Sequence, residues 1–181
     1  MHDRPPLLVK LEIIYIGRFA VKNQFCFSVL ILVIALAAGC APMPKSGQLT
    51  VHQGPAPEIT PDKNSAVVTF YRPSSILGVG ISYFVQENGE NIGALKSGTY
   101  FSVRTSPGSH TYTASTEATE TVTIQAAAND TTYVEGTLGW GAFAGRPRLK
   151  EVPAGTAKSV IPKLKYVELK PSDQSDQKPA Y

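Results

Sequence analysis

TVTIQA, residues 121–126, alternates polar and apolar side chains without a break. Val122, Ile124 and Ala126 fall on one side, and Thr121, Thr123 and Gln125 on the other. That period of two is the mark of a half-buried β-strand. A slip of one residue would turn every apolar side chain to water, so its register is well specified. The same period governs the chain on both sides. Ala66–Arg72 (AVVTFYR) is β-branched and aromatic and is closed by Pro73. Ile81–Gln86, Asn91–Leu95, Tyr100–Arg104 and His110–Ala114 follow, separated by short turns. Asn88-Gly89 supplies two residues tolerant of positive φ and predicts a type I′ hairpin. Asn129-Asp130 turns the chain into Thr132–Gly136. Arg148–Val152 is a further strand, Ala154–Ile161 a short helix stopped by Pro162, and Lys165–Leu169 a last strand at an edge.

About eight short strands at this spacing predict an all-β fold, an antiparallel β-sandwich or open barrel with one short C-terminal helix. Helix-length periods do not separate the strands, which argues against a βαβ arrangement. The folded domain is expected over residues 64–169. Residues 170–181 are polar, lack a period and read as a disordered tail.

The other informative stretch is FCFSVLILVIALAAGC, residues 25–40. A bilayer-crossing helix takes about 20 apolar residues. This run is shorter, has Lys22 just upstream and ends in small residues, the pattern of a secretory signal. A single-pass anchor with an incidental cysteine fits less well, because no charged residue stops the run on its far side. Residues 1–39 are therefore set aside as a signal peptide. Residues 1–20, with Asp3, Glu12 and two prolines, fit a signal badly and read as an upstream extension, with initiation at Val21. Residues 40–63 are rich in proline and glycine and are expected to be a flexible linker.

Four of the 17 basic residues (Arg4, Lys10, Arg18, Lys22) and two of the 14 acidic ones (Asp3, Glu12) precede Cys40. The chain's net charge of +3 thus falls to about +1 from Cys40 onward. This balance gives no footprint for nucleic acid. Of the two cysteines, Cys26 lies in the signal, so the remainder must rest on its hydrophobic core rather than on a disulfide. No Cys-x-x-Cys or His-x-x-x-His spacing points to a metal, and no cofactor is expected.

Ala37-Ala38-Gly39-Cys40 resembles the lipobox of bacterial lipoproteins, with Leu36 one place earlier than that family's leucine. The resemblance implies cleavage after Gly39 and acylation of Cys40 on its sulfur and its new amino terminus. The membrane, reached through those acyl chains, is then a partner. Ala41 stands where an aspartate would favour inner-membrane retention, so the resemblance implies the periplasmic face of the outer membrane. In the domain, Val68-x-Phe70-Tyr71-Arg72-Pro73, Asn88-Gly89-x-x-Ile92-Gly93-x-Leu95, Gly98-x-Tyr100, Pro107-Gly108-x-His110 and Gly145-Arg146-Pro147 occur in order. Together they resemble a bacterial lipoprotein family known only as a domain of unknown function, over Ala66 to about Leu164. Gly98-x-Tyr100 and Pro107-Gly108-x-His110 also look like small surface β-domains with a Pro-Glu-Gly-Ala signature. Neither resemblance implies a reaction or a catalytic residue.

The residues themselves offer little catalytic chemistry. His110, just after a Pro-Gly turn, reads as a turn cap or strand-end packing residue. Glu87, Glu90, Glu117 and Glu120 read as solvated surface. Glu135, inside an apolar strand, is expected to pair with Arg72, Arg104 or Arg148. A hydrolase or enzyme accessory would need His110 and Glu135 to converge. A small apolar ligand carrier would need a cavity between the sheets.

The main expectation is a non-enzymatic binding or envelope-structural module whose partner is an envelope protein or ligand. Its candidate surface is GTLGWGAFAGRPR, residues 136–148, with Trp140, Phe143, Arg146 and Arg148, together with Ile76 and Leu77 in the loop Ser74–Gly80. Two readings of the aromatics compete. Trp140 and Phe143 plug one end of the fold, which the energetics of aromatic burial favour. Alternatively they form an exposed aromatic–arginine surface of the kind enriched among binding hot spots, or rest at the membrane interface, where tryptophan is favoured.

Overall fold

The period-two segments form strands in the computed structural model, which describes residues 42–45, 47–54 and 56–170. Among these the chain has ten strands: β1 (Leu49–Val51), β2 (Ala66–Arg72), β3 (Tyr83–Glu87), β4 (Glu90–Leu95), β5 (Thr99–Thr105), β6 (Gly108–Ser115), β7 (Thr119–Ala126), β8 (Thr131–Gly139), β9 (Arg146–Val152) and β10 (Lys165–Leu169). One short helix, α1 (Ala154–Val160), runs into a 3₁₀ turn at Ile161–Lys163 that contains Pro162. The strands form a six-stranded sheet, β1-β10-β5-β2-β8-β9, and a four-stranded sheet, β4-β3-β6-β7. Asn88 and Gly89 take φ of 51° and 82° and close the β3–β4 hairpin, as their sequence predicts.

One core is drawn from both sheets. Val68 and Phe70 of β2, Phe101 of β5 and Val134 of β8 meet Tyr83 and Val85 of β3, Tyr112 of β6 and Ile124 of β7. Phe70 is its centre. Its ring stacks on Phe101 with centroids 5.0 Å apart and lies edge-to-face with Tyr112, centroids 4.9 Å apart. Such aromatic pairs contribute about 0.5–1.5 kcal/mol beyond the area they bury. Aromatic side chains therefore occupy the space between the sheets in which a carrier would hold its ligand.

Three expectations need correction. The fold is not purely antiparallel: β2 pairs with β8 in parallel, Val67 opposite Thr131 through Tyr71 opposite Glu135, and β10 pairs with β5 in parallel. Strand β2 is buried at all seven positions, the signature of a strand covered on both faces. Second, β10 is not an edge, because Leu49–Val51 pairs with it antiparallel. Third, residues 40–63 are not a free linker throughout. Besides β1, Asp62 and the Thr60 carbonyl are held by Arg104, whose guanidinium donates to both at 2.8 and 2.7 Å. At the other terminus the Lys170 N–H donates to the Gln48 carbonyl at 2.9 Å, so Lys170 belongs to the fold. Residues 171–181, like Gly39 and Cys40, lie outside the described residues.

Two glycines test the packing in opposite directions. A Cβ on Gly93 would lie 2.3 Å from the Phe101 ring, whereas one on Gly155 in α1 meets nothing within 4 Å. Gly93→Ala is expected to destabilise by about 1–3 kcal/mol through overpacking. Gly155→Ala is expected to stabilise by up to about 1 kcal/mol through helix propensity. Urea unfolding of the two variants checks both signs.

Candidate binding surface

The parallel pairing of β2 and β8 decides where the loops emerge. Both strands run toward the same end of the six-stranded sheet. The loop after β2, Ser74–Ser82, and the loop after β8, Trp140–Gly145, therefore leave together. Leu77 and Gly78 of the first, Ile81 just beyond them, and Leu138, Trp140 and Phe143 line one shallow pocket of about 160 Å³.

The aromatic side chains are not a plug. Trp140 is 85% exposed and Phe143 95%, and on the loop after β2 Ile76 is 94% and Val79 63% exposed. Leu77 is partly covered at 38%. The preference for burial is thus overturned. The core is already filled by Phe70, Phe101, Tyr83 and Tyr112, and β8 has ended at Gly139 before Trp140 begins. Leu138, one residue earlier, is the side chain that enters the core.

These loops are fastened by two charged groups of opposite sign. Arg72, the last residue of β2, is 1% exposed. Its Nη1 donates to the Ile81 carbonyl at 2.8 Å, and its Nη2 donates to the carbonyls of Gly78 and Leu77 at 2.8 and 3.4 Å. The guanidinium carbon lies 5.7 Å from the centroid of the Tyr83 ring, a cation–π position. Burial lowers the Arg72 pKa from its usual value, and the nearby Tyr83 hydroxyl opposes that shift. A buried guanidinium must spend its fixed fork of donors on acceptors, and here loop carbonyls provide them.

Glu117 holds the second loop. Its carboxylate accepts the N–H of Ala142 at 2.8 Å, of Phe143 at 2.7 Å and of Ala144 at 3.1 Å. Arg146 Nε lies 3.8 Å away. The N–H of Phe143, then that of Ala144, hold the carboxyl below the usual glutamate range, with smaller help from Ala142 and Arg146. Thr116 adds a hydrogen bond from its hydroxyl to the Gly145 carbonyl at 2.5 Å. Gly141 is required by close approach, since a Cβ there would collide with the Glu117 carboxylate. Glu117 is therefore an anchor of the loop and not the free surface charge its sequence suggests.

Arg146 and Arg148 are exposed on one face of β9, while Pro147 and Leu149 between and beyond them are buried. The result is an apolar tip on two braced loops with two arginines beside it. Preorganised loops lose less conformational entropy when a surface binds them. Exposed apolar patches rimmed by polar groups mark sites of protein or membrane contact.

The other candidates lie apart. His110 Nδ1 is 2.6 Å from a Glu87 carboxylate oxygen and its Nε2 is 2.9 Å from the Ser106 carbonyl. Each ring nitrogen thus faces an acceptor within the domain, and neither is turned to a substrate. Glu135 accepts a hydrogen bond from the Tyr71 hydroxyl at 2.8 Å, in place of the expected arginine. Burial first, and then Glu135, raises the Tyr71 pKa. His110 belongs to the four-stranded sheet, stacked against core residue Tyr112. Glu135 belongs to the six-stranded sheet, on the side away from the core that Val134 faces. The two do not converge. Among the described residues no cluster of His, Cys, Asp or Glu forms a metal-binding group.

Compared with protein-family models, curated proteins and solved structures, the chain matches none.

Two variants test the bracing. Glu117→Gln is expected to speed amide exchange at Ala142, Phe143 and Ala144 while leaving β8 protected. In the unaltered protein that protection is full above pH 4.5, the ordinary glutamate value, and is lost as pH falls through the lowered value of Glu117. The variant's exchange should lack that pH step once the intrinsic pH dependence of amide exchange is removed, a comparison made by hydrogen-exchange NMR. Arg72→Met removes the guanidinium donor from the Ile81 and Leu77 carbonyls, while Gly78 keeps the Ile81 N–H, and is expected to destabilise by about 2–3 kcal/mol. Arg72→Lys, which lacks the planar fork, should fall between. Denaturant unfolding monitored by tyrosine fluorescence ranks the three proteins.

Proposed function

We propose that this chain is a lipid-anchored envelope protein whose β-domain is a non-enzymatic binding or envelope-structural module. The tip formed by Ile76, Leu77, Trp140 and Phe143, with Arg146 and Arg148 beside it, is its working surface. The observation that carries this reading is that large apolar side chains stand in solvent on loops fixed by Arg72 and Glu117. A folding role would bury Trp140 and Phe143, and burying a large side chain contributes about 1.5–3 kcal/mol. The lipid anchor is supported by the apolar run before Cys40 and by its lipobox-like ending. The resemblance of that ending to the lipobox, with Ala41 after it, supports the periplasmic face of the outer membrane as its location. The two sheets with a common core support a sandwich as the arrangement that presents the tip, and the lipoprotein-like motifs of the domain fit the same placement.

The test is photo-crosslinking in intact cells. A photoreactive residue at position 140 or 143 is expected to form covalent adducts, with protein or lipid, that the same residue at Thr121 on β7 does not. Absence of adducts from positions 140 and 143, or equal adducts from position 121, overturns the tip as a binding surface. Labelling with a palmitate analogue checks the anchor separately, since Cys40→Ser should abolish incorporation.

A further inference from the structure

We propose that the surface bound by this tip is the phospholipid bilayer itself, which rests on the proposed function and names its partner. The chain's own path makes the argument. Pro42 lies with Phe84, Gln86 and Ser115 around one shallow depression on the four-stranded sheet. Ser115 ends β6, and Glu117, two residues on, holds the aromatic loop. Phe84 stands near the start of β3, just after the loop that carries Ile76 and Val79. The N-terminal segment therefore meets the domain at the end bearing the apolar tip.

Cys40 precedes Pro42 by two residues, and two residues span at most about 7 Å. A tether that short cannot hold the domain away from the membrane to which it is fixed. It brings the headgroup region up to the end of the domain where Trp140, Phe143 and Ile76 stand in solvent. The same holds whether the apolar run 25–39 is cleaved or retained, since hydrocarbon then stands on residue 40 or immediately before it.

The chemistry of the tip suits that surface. Tryptophan is favoured at the membrane interface, where one side of the indole is apolar and its N–H stays hydrated. The Arg146 side chain is 69% exposed and Arg148 is also exposed, so both are open to anionic phosphate groups. Glu117, the acid that braces the aromatic loop, is turned inward onto loop N–H groups, whose dipoles partly offset its charge toward those phosphates. The tip adds interfacial contact to the acyl anchor and fixes how the domain is oriented on the bilayer.

Trp140 is the only tryptophan in the chain, so its emission reports this contact alone. The full chain, purified from membranes, is reconstituted into vesicles of phosphatidylethanolamine and phosphatidylglycerol. In one preparation the lipids carry bromine at shallow acyl positions. Brominated lipid is expected to quench Trp140, and vesicles are expected to shield it from aqueous iodide. The variant Ile76→Ser/Phe143→Ser, altered only at exposed positions, should lose most of both effects. Tyrosine-monitored unfolding confirms that it still folds.

Trp140 left open to iodide and untouched by brominated lipid overturns the proposal. Protein adducts from positions 140 and 143 in cells, without bromine quenching, would assign the tip to a protein partner and leave the proposed function standing. Loss of adducts and of quenching together would remove both.

Discussion

Strand β2 is buried along both faces from Ala66 to Arg72, so each of its side chains must find its partner in another element. Val68 and Phe70 supply the shared core. Thr69 meets the hydroxyl of Ser102 on β5 at 2.9 Å. Tyr71 reaches Glu135 on β8. Arg72, where the strand stops, gathers the carbonyls of the following loop. Burial of one seven-residue strand thus recruits the neighbouring strands and a loop, because an unmatched polar group there would cost about 1–3 kcal/mol. The parallel partner β8 decides where the candidate surface lies. Two strands running the same way deliver their loops to the same end, and antiparallel neighbours would have separated them.

The two braces answer different shortages. The loop after β2 offers carbonyls that lack strand partners, and a cation serves them. The loop after β8 offers N–H groups, and an anion serves those. Each brace fixes the main chain and leaves the side chains outward, so the apolar residues do not have to pack in order to hold their loop. This separates the stability of the tip from its chemistry, a condition for presenting Trp140 and Phe143 to a surface without collapse onto the domain.

Much of the fold was legible. The alternation in Thr121–Ala126 and the Asn88-Gly89 turn appear where their sequence places them, as does the helix before Pro162. Strand β1 was hidden because three residues within a run of prolines and glycines carry too little pattern. The parallel pairings were hidden because they join residues far apart in sequence, Tyr71 and Glu135 being 64 positions apart. The candidate residues Trp140, Phe143, Ile76 and Leu77 were legible as an unusual set. Whether the aromatics were core or surface was not, since that depends on how full the core already is. Arg72 and Glu117 carried no local signal for their roles. Each acts on backbone groups, and the sequence does not show which of those lack partners.

Strand β1 has a further consequence. It is three residues long, yet it occupies the hydrogen-bonding edge of β10, a strand whose Tyr166 and Val167 are buried. Open sheet edges are templates for pairing with other chains, and short outer strands are one way proteins blunt them. Proteolysis between Val51 and Ala66 would therefore sever β1 from the rest of the chain. It would uncover the flank of β10 and leave a released fragment prone to strand exchange and aggregation.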